Sequence, residues 1–74
     1  MKSTYTEKYK NLLIKLISAR KVAGFTQSDL SKMLERPQSF VSKIEIGERY
    51  LDVLEFLEIT QLLGVEAYEI IKNI

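Results

Sequence analysis

Four side chains in the stretch ERPQSFVSKIE, residues 35–45, have the chemistry to read a hydrogen-bonding edge: Gln38, Ser39, Ser42 and Lys43. On a helix turning about 100° per residue, Phe40, Val41 and Ile44 fall on one side. Gln38, Ser39, Ser42, Lys43 and Ile46 fall on the other. Glutamine can bond the N6/N7 edge of adenine through two atoms. Serine donates or accepts, and lysine meets guanine O6/N7 or a phosphate. No acid lies within this face; Glu45 stands at its edge. The plain alternative is the wet side of a surface helix, and on pattern alone that alternative leads.

Other chemistries are poorly supplied. The chain has no histidine and no cysteine, which removes the commonest general base, the thiolate nucleophile and the usual metal ligands. No clustered carboxylates compensate, so the reading is not an enzyme, with no metal and no cofactor. Apolar runs are short, as in Leu12-Leu13-Ile14, and span no membrane. The opening MKSTYTEKYK lacks the apolar core of a signal peptide, so a soluble cytoplasmic domain is expected. Net charge is +1, but residues 1–50 carry +5 and residues 51–74 carry −4. A basic front and an acidic back suit a polyanion on one side.

Helices must position these residues. Thr4-x-x-Glu7, Thr26-x-x-Asp29 and Asp52-x-x-Glu55 each resemble a capping box. Gly24, Gly47 and Gly64 each follow an apolar-periodic segment, where glycine closes a helix. Pro37 stops what precedes it and can open the next helix. The expected helices are about 5–23, 27–34, 38–46, 52–63 and 66–73. Their expected inward faces are Tyr9, Leu12, Leu13, Leu16 and Ile17; then Leu30, Met33 and Leu34; then, on the fourth, Val53, Leu54, Leu57 and Leu62. The result is an all-α chain of five short helices, one domain over residues 1–74. Its second and third helices, joined by Glu35-Arg36-Pro37, outline a helix-turn-helix at about 26–46.

The order of residues in GFTQSDLSKMLERPQSFVSKIEIGERYLDVLEFLEITQLLGV resembles the phage repressor and Cro-type helix-turn-helix family. The matching features are Phe25-Thr26-Gln27, Leu30, Leu34, Gln38-Ser39, Val41, Ser42-Lys43-Ile44-Glu45 and Gly47-Glu48-Arg49. Leu51-Asp52-Val53-Leu54 and Leu62-Leu63-Gly64-Val65 continue the match, which covers about residues 8–71. The resemblance implies a five-helix lambda-repressor-like fold and sequence-specific binding of double-stranded DNA. Helix 3 (38–46) would be the recognition helix in the major groove, with Gln38 the leading base reader. Gln27 would brace Gln38 and touch phosphate, and amides beside Thr26 would hold a phosphate. Ser39, Ser42 and Lys43 would contact bases or phosphates, and Arg49 the backbone. Arg20 and Glu45 would pair internally and orient helix 3, off the contact surface.

The turn departs from the family pattern Leu-Gly-Val-Ser. Glu35 takes a place that often needs a left-handed backbone. Arg36 replaces an apolar residue and would reach a phosphate or remain a solvated charge. Pro37 replaces the usual hydroxyl cap. Phe40 reads as packing. Tyr68, Ile71 and Ile74 form a stripe on helix 5, which reads as the face of a homodimer or as packing on helices 1 and 4. Two recognition helices one duplex turn apart would read a palindromic operator. The expected role is a small transcriptional regulator, a repressor. The alternative is an antitoxin or interaction module whose acidic C-terminal half holds a toxin or another protein.

Overall fold

Short oxygen side chains start three of the helices in the computed structural model, which describes residues 6–74. α1 (Glu7–Val22) opens on Thr6, whose hydroxyl accepts the Tyr9 N–H at 3.1 Å. Its start therefore lies two residues later than expected, and the Thr4 cap falls outside the described residues. α2 (Gln27–Met33) and α4 (Val53–Leu63) carry full capping boxes, Thr26 with Asp29 and Asp52 with Glu55. α3 (Phe40–Glu45) and α5 (Ala67–Ile71) are a turn or two long and persist by packing rather than by propensity. Among the described residues there is no strand.

α1 to α4 end on the same device. An N–H closes on the carbonyl three residues back, and the next N–H on the carbonyl five back, with the residue between them left-handed. Three of these residues are Gly24, Gly47 and Gly64. The fourth, closing α2, is Glu35 at φ 59°, with its N–H on Lys32 O at 2.9 Å and Arg36 N–H on Ser31 O at 3.0 Å. The backbone demand expected at Glu35 is thus met by a residue with a Cβ.

The core gathers Leu13, Leu16, Leu30, Phe40, Val41, Ile44, Ile59, Leu63 and Ile70. α2 lies against α3, and α5 against α1 and α4. Lys15 reaches across to the Lys72 carbonyl at 2.7 Å and Asn11 to the Ile74 carbonyl at 3.3 Å, tying the end of α5 to α1.

Two expectations are corrected. On α4, Val53, Leu54, Leu57 and Leu62 were expected inward, but Val53 and Leu54 are 71% and 73% exposed, and Leu57 and Leu62 are exposed too. Apolar residues occur on both sides of this helix, so periodicity leaves its rotation ambiguous. Packing of Phe56, Ile59 and Leu63, with Glu55 and Thr60 buried beside them, settles it. On α2, Met33 is likewise exposed rather than inward.

Candidate nucleic-acid interface

The reading element begins later than its sequence suggests. Residues 37–39 form a turn in which Phe40 N–H meets Pro37 O at 2.9 Å, and α3 proper starts at Phe40. Gln38 and Ser39 therefore stand ahead of the helix, on the turn, rather than inside its first turn. Ser39 occupies the cap position but makes no side-chain cap bond. The missing hydroxyl cap comes from α2: Ser31 Oγ, fully buried, accepts the Val41 N–H at 3.0 Å. A partner helix thus satisfies a donor at the start of α3 that the proline-containing turn leaves open. Sequence spacing gave no sign of this, since Ser31 reads as one more polar residue on a short helix.

Glu45, at the far end of α3, fixes the angle between α1, α2 and α3. Its Oε2 accepts Arg20 Nε at 2.7 Å. Its Oε1 accepts Arg20 Nη2 at 3.1 Å and Gln27 Nε2 at 2.7 Å. Both charged side chains are 8% exposed, and Arg20 also donates to Phe25 O at 2.8 Å. The fork geometry, with each Arg20 nitrogen bonded, suits a buried ion pair. The pairing of Arg20 with Glu45 agrees with the sequence reading. The Gln27 bond was not foreseen: that side-chain amide is held by Glu45 rather than by Gln38.

Gln27 and Gln38 nevertheless share a surface. A shallow depression is lined by Gln27, Ser28, Gln38, Ser39 and Ser42. A second, adjoining through Ser28 and Gln38, is lined by Ser28, Lys32, Arg36 and Gln38. The fold thus brings together five of the eight sequence-derived candidates, all but Thr26, Lys43 and Arg49, with Arg36 in the second depression, and adds two residues not anticipated. Those two are Ser28 and Lys32, whose i, i+4 spacing on α2 places them on one face. Lys43 is exposed one turn beyond Ser39 on α3. Thr26 is committed to its capping box: its N–H donates to Asp29 Oδ2 and its hydroxyl accepts the Asp29 N–H, both at 2.9 Å. These bonds hold the Asp29 carboxyl below its ordinary pKa, backbone and side-chain hydrogen bonds from Thr26 being the main causes.

The arginines sit apart, around Glu55. Arg49 meets this buried carboxylate through two bonds, 2.8 and 2.9 Å, and Arg36 through one at 3.3 Å. Both guanidinium groups lie over the Phe40 ring, 4.4 Å away for Arg36 and 4.8 Å for Arg49, in the range of a cation–π contact. Hydrogen bonds from Arg49 hold the Glu55 pKa down against the opposing effect of burial, and raise that of Arg49 in turn. The two arginine side chains are 41% and 39% exposed, so each anchors at one edge and meets solvent at the other.

Comparison with known proteins places this geometry. The helix-turn-helix family profile matches residues 16–70. The chain belongs to the XRE-type helix-turn-helix family. Among solved structures, an XRE-family like protein from Pseudomonas syringae pv. tomato str. DC3000 is 48% identical, with a TM-score of 0.80 over 85% of this chain and 77% of the other. A search of curated proteins gives no match. This helix-turn-helix protein has the all-α, five-helix fold that the resemblance implied, and its family is that of DNA-binding regulators. Among the described residues, no group of carboxylates is placed to hold a metal and no helix is long and apolar enough to cross a membrane.

Proposed function

We propose that this protein is a cytoplasmic transcriptional repressor that reads a palindromic operator as a homodimer, with the turn at 37–39 and α3 in the major groove. The observation that carries the reading is the shared surface of Gln27, Ser28, Gln38, Ser39 and Ser42. Uncharged donors and acceptors are concentrated at its centre, and Lys32, Arg36 and Lys43 lie around them. That is the division of labour expected of a DNA reader: bonds to base edges give sequence, cations on phosphates give affinity. Gln38 is the leading base contact, with Ser39 and Ser42 beside it. Lys43, Arg36 and Arg49 face phosphates, as do the α2 first turn and Gln27.

In-vitro selection of bound DNA, followed by titrations of Gln38→Ala and Lys43→Ala, tests this. Gln38→Ala is expected to cost about 1–3 kcal/mol and to relax preference at one base pair. Lys43→Ala is expected to weaken all sequences alike and to lower the salt slope by about one. Selection that enriches no sequence, or two variants that both bind like the parent, refutes the assigned surface.

A further inference from the structure

The proposed reading needs two copies, and α4 supplies a face for the second. Val53, Leu54 and Leu57 project from its first two turns with exposures of 71%, 73% and 46%. They lie on one side of the helix, and Glu55, Phe56, Ile59 and Leu63 on the other. Ile46, at the end of α3, is 59% exposed as well. Exposed apolar groups gathered in this way, rather than scattered singly, mark an interaction site. We infer that the face of Val53, Leu54 and Leu57 is the two-fold contact between copies of this chain.

Two observations favour a second copy as the occupant. The first is spacing. Recognition elements one duplex turn apart, about 34–36 Å, place the two-fold axis only about 17 Å from each. The chain measures 29 × 25 × 20 Å, so the contact must lie on an element close to the reading turn. The start of α4 is such an element: Arg36, immediately before that turn, bonds Glu55 in the α4 first turn. Val53, Leu54 and Leu57 leave the same two turns facing away from Glu55. The second is charge. A two-fold contact sets each residue near its own copy or its symmetry neighbours, which punishes charged centres. Val53, Leu54 and Leu57 carry none. The stripe of Tyr68, Ile71 and Ile74 is less suited. Lys72 lies 5.8 Å over the Tyr68 ring and pairs with Glu69, while Lys15 and Asn11 anchor the end of α5 to α1.

Three side chains are the centre of an interface, well short of the roughly 800 Å² per partner of a stable complex. A weak dimer follows, with a dissociation constant on the order of 100 µM, strengthened when operator DNA holds both copies. This inference rests on the DNA-reading proposal for its spacing, but its first test uses no DNA. Sedimentation equilibrium of the protein alone, from about 10 to 500 µM, should show mass rising toward the dimer. Leu54→Glu should raise the dissociation constant at least about tenfold, and Val53→Lys should do the same should one charge be tolerated by accident. Tyr68→Glu should leave it unchanged. On DNA, Leu54→Glu should lose the palindrome's advantage over one half-site while binding a half-site like the parent. A parent that stays monomeric across the range overturns the inference, as does dimerisation that survives both α4 variants or is abolished by Tyr68→Glu. Loss of half-site binding by the parent would instead strike at the DNA reading.

Discussion

Glu45, at the end of α3, and Glu55, in α4, both carry buried carboxylates, and each gathers two donor residues from elsewhere in the chain. They differ in what those donors can do next. Glu45 holds Arg20, which is as buried as itself, and Gln27 at the edge of the reading surface. Glu55 holds Arg49 and Arg36, each about two-fifths exposed. Glu45 is therefore a fixed joint that sets the pose of α3 and of one reading side chain. Glu55 is an anchor for cations that keep part of their fork in water. A buried partner has no alternative to its pair, whereas a half-exposed arginine exchanges a carboxylate for solvent or for a phosphate at little cost.

The comparison breaks most visibly at the buried joint. Arg20→Ala strands Glu45 and is expected to cost about 3–5 kcal/mol, read as the change in unfolding free energy in urea. A loss near zero would show that Glu45 finds water. Glu55→Gln keeps the shape but removes the charge, and the arginines resolvate. The expected cost is smaller, about 1–3 kcal/mol, and non-specific DNA binding is expected to tighten. Its salt slope should steepen by about 0.9 for each arginine freed to a phosphate. Unchanged salt dependence would mean that the arginines stay on Phe40.

The same anchor makes stability depend on pH. The Glu55 pKa is lower in the folded chain than its ordinary value of 4.5, mainly through Arg49. A carboxyl with a depressed folded pKa binds protons more readily when unfolded. Its contribution is complete above about pH 4.5 and is lost as pH falls through the folded value. Melts at falling pH should show a loss that shrinks in Glu55→Gln. Next in size is Ser31→Ala, which leaves the Val41 N–H buried without its acceptor and is expected to cost about 1–2 kcal/mol. The smallest effect is a gain. Glu35→Gly relieves a left-handed residue at a helix end where the chain elsewhere uses glycine, but adds freedom to the unfolded state. The expected net is about 0.5–1 kcal/mol of stabilisation, seen as a slightly higher melting temperature.

Local signals carried far in this chain. Thr26 with Asp29, Asp52 with Glu55 and the three glycines follow from bonds within a few residues, so spacing alone discloses them, whereas the left-handed place of Glu35 came from comparison with the turn of the family it resembles. The pairing of Arg20 with Glu45 came from residue order shared with a family, since a separation of 25 residues leaves no periodic trace. Gln38 came forward by its chemistry, but its place ahead of α3 did not, because Pro37 and Ser31 divide the cap between two segments.

The sequence by itself determined the capped starts of α2 and α4, the glycine closures, the helix-turn-helix outline and the chemistry available near Gln38, because these are set by backbone geometry and side-chain type over short range. Tertiary structure alone decided the rotation of α4. VLEFLEITQLL is apolar on two sides, and a helix of that kind has no preferred inward face until something packs on it. Burial of Ile59 and Leu63 against the core, with Glu55 drawn in beneath two arginines, turned Val53, Leu54 and Leu57 outward.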